Sequence, residues 1–160
     1  MRSWVFVFVA IAACGGEKKD FQAIATAVSP TLRELAPFDA RLNPGRDEDT
    51  QSAEVVEKVV DASRACGEVR AVVAKIQLAS GNYTSPTASR LAGDLAGAVK
   101  DFGEISNGCG IGENARPAMD CYRSCRRAWG KLAKATRALH EAAQKQGVDI
   151  PPLRPLRGGK

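Results

Sequence analysis

Three stretches of this chain repeat apolar residues at alternating steps of four and three, the spacing that lines one face of an α-helix. Val55, Val59, Ala62, Cys66, Val69, Val73 and Ile76 form the first, and Leu91, Leu95, Ala98, Phe102 and Ile105 the second. Ala118, Tyr122, Cys125, Trp129, Leu132, Thr136, Leu139 and Ala143 form the third. A helix with one apolar stripe has to bury it against another helix, and no period-two stretch rivals these three. The pattern therefore constrains the chain to an all-α fold, an antiparallel bundle of helices. Aromatic residues make up only 6 % of the chain, which suits close-packed helices better than a β-sandwich.

Turn chemistry marks the boundaries. The first long helix is predicted from Asp49 to Gly81, with Thr50 as its cap. Ser85-Pro86 opens the second, a capping side chain followed by proline at the first helical position, and Asn107-Gly108 stops it. The third begins near Asn114–Pro117. Gly147 stands where a left-handed terminal residue belongs, and Pro151-Pro152 prevents continuation. Ahead of them, Phe21, Ile24, Val28, Leu35 and Phe38 predict a leading helix that is shorter, or broken at Ser29-Pro30. The bundle then covers residues 21–147, and residues 148–160 read as an extended basic, Pro-rich tail.

The first residues have a different logic. Arg2 supplies a positive end, Trp4 to Ile11 is an unbroken apolar run, and Ala12-Ala13-Cys14 closes it. That is the layout of a secretory signal. The run is well short of the ~20 apolar residues that span a bilayer. Ile11-Ala12-Ala13-Cys14 resembles the lipobox of bacterial lipoproteins, with Ile11 where the family usually has Leu. The resemblance covers this segment alone. It implies removal of residues 1–13, acylation of Cys14, and residues 14–20 as lipidated amino terminus and short linker. Gly15 after the cysteine, where Asp signals inner-membrane retention in some bacteria, implies the periplasmic side of the outer membrane. Several acyl chains, at ~0.8 kcal/mol per buried methylene, make a stable anchor.

With Cys14 assigned to lipid, Cys66, Cys109, Cys121 and Cys125 remain. Four cysteines in an exported chain imply two disulfides. Short turns make the first and third long helices parallel. Cys66 lies roughly 24 Å along its helix, and Cys125 about 17 Å beyond Asn114, at 1.5 Å per residue. The expected pairs are Cys66–Cys125 and Cys109–Cys121, with exchange of the two partners as the rival. A cystine between the two parallel helices requires α-carbons within ~7 Å, closer than diagonal helices of a square bundle. This distance implies a triangular core, with the leading helix on one side. Glu54, Glu57, Asp61 and Glu68 are expected to face Arg126 and Lys131 across the contact.

No catalytic, cofactor or metal site emerges. His140 is the sole histidine and reads as a helix-surface residue. It lies about 31 Å along one helix from Met119, too far for both to bind one haem iron. Cys121 to Cys125 is not a CxxC and is followed by Arg126, so neither zinc, thioredoxin chemistry nor covalent haem is expected. Gly108–Gly112 lacks the lysine of a phosphate loop, and Asp47-Glu48-Asp49 lacks EF-hand spacing. The expectation is a non-enzyme.

Charge is the feature left over. The chain carries a net +5, and residues 114–160 hold 11 Lys and Arg against 3 Asp and Glu. Arg116, Arg123, Arg127, Lys134 and Arg137 lie opposite the apolar seam, flanked by Arg126 and Lys131, and the tail adds Arg154, Arg157 and Lys160. Without interleaved aromatics, nucleic acid is not an expected partner. Anionic lipid or an acidic envelope protein is. The sequence thus predicts a membrane-anchored envelope lipoprotein acting as a binding or scaffold module. Its rival is a small-ligand or metal carrier using the bundle interior.

Overall fold

A computed structural model describes residues 9–42, 53–78, 83–105 and 118–156. All regular structure among them is helical: α1 (Val9–Leu35), α2 (Phe38–Arg41), α3 (Ala53–Val73), α4 (Pro86–Ile105) and α5 (Ala118–Lys145). The all-α, disulfide-stapled bundle expected from the periodicity is present. α5 packs against α3 and α4, and α1 lies along the same two helices.

The seams fold inward where their side chains are described, with Ile105 only partly buried and Val55 and Ala118 outside that set. Val59, Ala62, Cys66, Val69 and Val73 of α3 are buried, as are Leu91, Leu95, Ala98 and Phe102 of α4. From Tyr122 through Ala143, each seam residue of α5 is buried too. Trp129, Phe21, Phe102 and Ile24 fill the centre. Directions can be read from the polar ties. Near the end of α4, Asp101 accepts from Lys131 of α5, whereas Ser85 before α4 and Gln146 after α5 both bond Glu17 of α1. α4 is therefore antiparallel to α5 and parallel to α1. Glu34, near the end of α1, accepts from Lys75 just beyond α3, while Arg41 in α2 reaches back to Glu68 and Asp61. α3 accordingly runs against α1, and parallel to α5.

Two of the boundaries the sequence announced are seen, at Ser85 and at Gly147. Ser85 Oγ accepts the Ala88 N–H at 3.3 Å, the reach of an N-cap to the third helical residue. At the other end of α5, Val148 N–H reaches Ala143 O and Gly147 N–H reaches Gln144 O, a Schellman pair around Gly147 at φ 68°.

Three expectations need correction. α3 stops at Val73 rather than Gly81: Lys75 and Ile76 make tighter bonds to Val72 and Val73, and residues 76–78 have left the helix. Val72, Val73 and Ile76 are β-branched and hold a helix weakly, yet Ile76 stays buried at the edge of the core. The leading helix is neither short nor broken, since Pro30 lies within the 27-residue α1. Pro30 is exposed, and so is Thr26, whose carbonyl loses its partner and can face water. Residues 148–156 are extended but not a free tail. Val148, Ile150 and Leu153 are buried, forming a strap along α5.

The Cys66–Cys125 disulfide joins α3 to α5 with α-carbons 6.0 Å apart. Cys121 is also disulfide-bonded. Its expected partner Cys109 lies outside the described residues, as do Thr50, Asp47–Asp49 and Gly108–Gly112. The expected acid–base facing of α3 and α5 does not form through Lys131. Asp61 and Glu68 hold Arg41, and Lys131 turns to Asp101 of α4.

Candidate binding face

The outer surface of α5 is built by the same periodicity that buries its seam. Arg123, Arg127, Lys134 and Arg137 fall within about 80° of one another around the axis, at roughly 100° per residue. All four are exposed, and none has a hydrogen bond or ion pair among the described residues. Gly130 lies in the same row, which Glu141 ends. Arg123 and Arg127 are like charges one turn apart, an arrangement that costs a few tenths of a kcal/mol. Fold stability does not explain why no acid offsets it.

The flanking cations are engaged otherwise. Arg126 is half-buried, donates to the Tyr122 hydroxyl at 2.9 Å and covers its ring with the guanidinium 5.5 Å from the centroid. Lys131 is 2.5 Å from Asp101. Arg116 lies outside the described residues. Of the predicted face, four residues thus make a free cationic row and two are tied into the surface. Beside the row, an open cleft of about 370 Å³ separates α4 from α5, lined by Asp101, Glu104, Ser124, Arg127 and Lys131. Its lining carries two carboxylates and two cations, and Arg127 belongs to both the cleft and the row.

Cys14 lies within α1, one turn before Glu17. The residues after it are not a linker. Glu17 accepts from Ser85 Oγ and from Gln146 Nε2, each at 3.1 Å. Asp20, buried, accepts from the Ser85 N–H at 2.7 Å and from Thr84 Oγ1 at 2.9 Å. Burial, together with the Asp20 carboxylate, raises the nearby Tyr83 phenol above its ordinary pKa. Within the segment expected to be a short linker, Glu17 and Asp20 instead clamp the start of α4 and the end of α5.

His140 is half-buried rather than on the surface, with Nδ1 2.8 Å from the Ile150 carbonyl. A carbonyl only accepts, so Nδ1 carries a hydrogen and the ring holds the strap. Among the described residues, no group of three or more His, Cys, Asp or Glu is placed to hold a metal ion. No described helix is long and apolar enough to cross a membrane. Asp20 escapes the sequence reading altogether, and Thr136 enters it only as a member of the apolar stripe. Thr136 reads as a seam residue in the sequence, but its hydroxyl donates to Ala133 O and accepts the Leu153 N–H at 3.1 Å. A polar residue within an apolar stripe is the available signal.

Comparison with protein families, with characterised proteins and with solved structures gives no match to this chain.

Proposed function

We propose that this chain is an exported lipoprotein of the cell envelope, tethered by acylated Cys14, that works without catalysis as a binding or scaffold module. The observation that carries the binding role is the row Arg123, Arg127, Lys134 and Arg137. Among the described residues these four exposed cations have no partner; other lone cations such as Lys18, Lys19 and Arg70 exist, and what sets the row apart is that all four share one face of one helix. The export half rests on the signal layout and lipobox, with oxidised Cys66 and Cys125 in keeping with an oxidising compartment. A centre filled by Trp129, Phe21 and Phe102 argues against a ligand carried inside the bundle.

The test has two arms. Fractionation of cells carrying Cys14→Ser should show the protein unprocessed and without acyl mass; normal processing of that variant overturns the lipoprotein half. Crosslinking in intact cells should capture an envelope component with wild type and lose it when Arg123, Arg127 and Lys134 are all changed to Glu. Equal capture by the triple variant overturns the binding half.

A further inference from the structure

The tether implied by this reading has almost no slack. Helix runs through Cys14 into the bundle without a break. One turn later Glu17 is bonded to Ser85 and Gln146, then Asp20 to Ser85 and Thr84, and Phe21 is fully buried. Even fully extended, the residues from Cys14 to Glu17 reach only about 10 Å, at 3.3–3.6 Å each. The start of α1, the start of α4 and the end of α5 meet at this one end of the bundle. Lys18, Lys19 and Lys145 are exposed there, with no ion pair among the described residues.

We infer that the bundle stands end-on on its bilayer, with this lysine-bearing end against anionic headgroups and the outer half of α5 held clear of them. The inference rests on the lipoprotein reading. Headgroups attract basic side chains only within a Debye length, about 8 Å at physiological salt. At 1.5 Å per residue, Arg137 lies about 12 Å along α5 from Lys145, Arg127 about 27 Å and Arg123 about 33 Å. Arg123 and Arg127 are therefore beyond the field of the anchoring membrane. Their partner is an acidic protein surface, not the lipid that holds the chain.

The experiment uses the full mature protein purified from membranes, its acyl mass verified, in vesicles of phosphatidylcholine and phosphatidylglycerol with nitroxide-labelled headgroups. A fluorescent residue replaces either Gln144 or Arg123, both exposed. Strong quenching at position 144 with little at position 123 is expected. Equal quenching at both overturns the end-on arrangement, and stronger quenching at 123 overturns it by assigning the row to lipid. A flexible Gly-Ser segment of about 15 residues, inserted between Gly15 and Gly16, should erase the contrast, since such a coil spans roughly 20 Å. A contrast that survives the insertion overturns the role of the short tether. Absence of acyl mass from the mature wild-type protein overturns the lipoprotein reading itself, an outcome distinct from loss of the contrast.

Discussion

The indole Nε1 of Trp129 donates to the Arg154 carbonyl at 2.8 Å, tying the last described segment to the middle of α5. Two further ties run along the same helix, from Thr136 to Leu153 and from His140 to Ile150. Together they convert residues 148–156 from a trailing end into part of the core.

Ile150 and Leu153 are 0 % and 2 % exposed. Ile150→Ala or Leu153→Ala should each destabilise by about 2–4 kcal/mol, the usual cost of removing a buried branched side chain. Trp129→Phe keeps most of the packing but leaves the Arg154 carbonyl without its indole donor, costing about 1 kcal/mol. Urea unfolding at neutral pH checks all three, with the alanine variants expected to lie well below Trp129→Phe.

Cys66 and Cys125 are 59 positions apart. Replacing both with alanine should lower stability by about 3–4 kcal/mol, because cross-linking a loop of that length restricts the unfolded chain. Unfolding by guanidinium under oxidising and reducing conditions reads the effect. The double variant should respond less to reductant than wild type.

The same substitution should have opposite signs at two glycines. Gly147 has φ 68°, and a Cβ there would meet nothing within 4 Å, so Gly147→Ala costs only its conformational strain, about 1 kcal/mol. Gly130 lies exposed within α5 with equally open space, and Gly130→Ala should stabilise by about 0.5–1 kcal/mol. Paired thermal melts check the contrast.

Asp20 and Ser85 give a further measurement. Asp20→Ala leaves the Ser85 N–H without its acceptor in a buried setting, at a cost of about 1–3 kcal/mol. Asp20→Asn retains an acceptor oxygen and should recover most of that loss in the same urea titration.

Arg41 grips Glu68 through both guanidinium nitrogens and holds its carboxyl below the ordinary value. A lowered folded-state pKa adds stability above about pH 4.5, and that stability disappears as pH falls through the lowered value. Glu68→Gln should therefore be less stable than wild type at neutral pH, by below about 1 kcal/mol since both groups remain partly hydrated. The gap should close in acid. Melts from pH 7 to pH 3 test the direction.

The features legible in the sequence are those with strong local signatures. The three seams, the Ser85-Pro86 opening, Gly147 and the Cys66–Cys125 pair each rest on spacing within one element or on the rise of two parallel helices. The features that escape depend on distant partners. Val148, Ile150 and Leu153 are too few and too interspersed with proline to read as core, and only the groove beside α5 makes them so. Pro30 suggests a break because its lost hydrogen bond is costly when buried, but the sequence does not say that Thr26 faces water. On the basic face, the row is legible from helical periodicity. That Lys131 chooses Asp101, and Arg126 the ring of Tyr122, depends on how α4 sits and on a side-chain rotamer.

The Cys66–Cys125 cross-link rivets α3 to α5, while among the described residues α1 and α4 are held by packing and polar contacts such as those of Glu17 and Asp20. Breathing of the native state should thus be lopsided: α1, which packs less closely on its neighbours than α4 does on α5, lifts away while the riveted pair and its strap stay shut. Amide protons of α1 should exchange faster than those around Trp129, and α1 is where a protease would first find purchase.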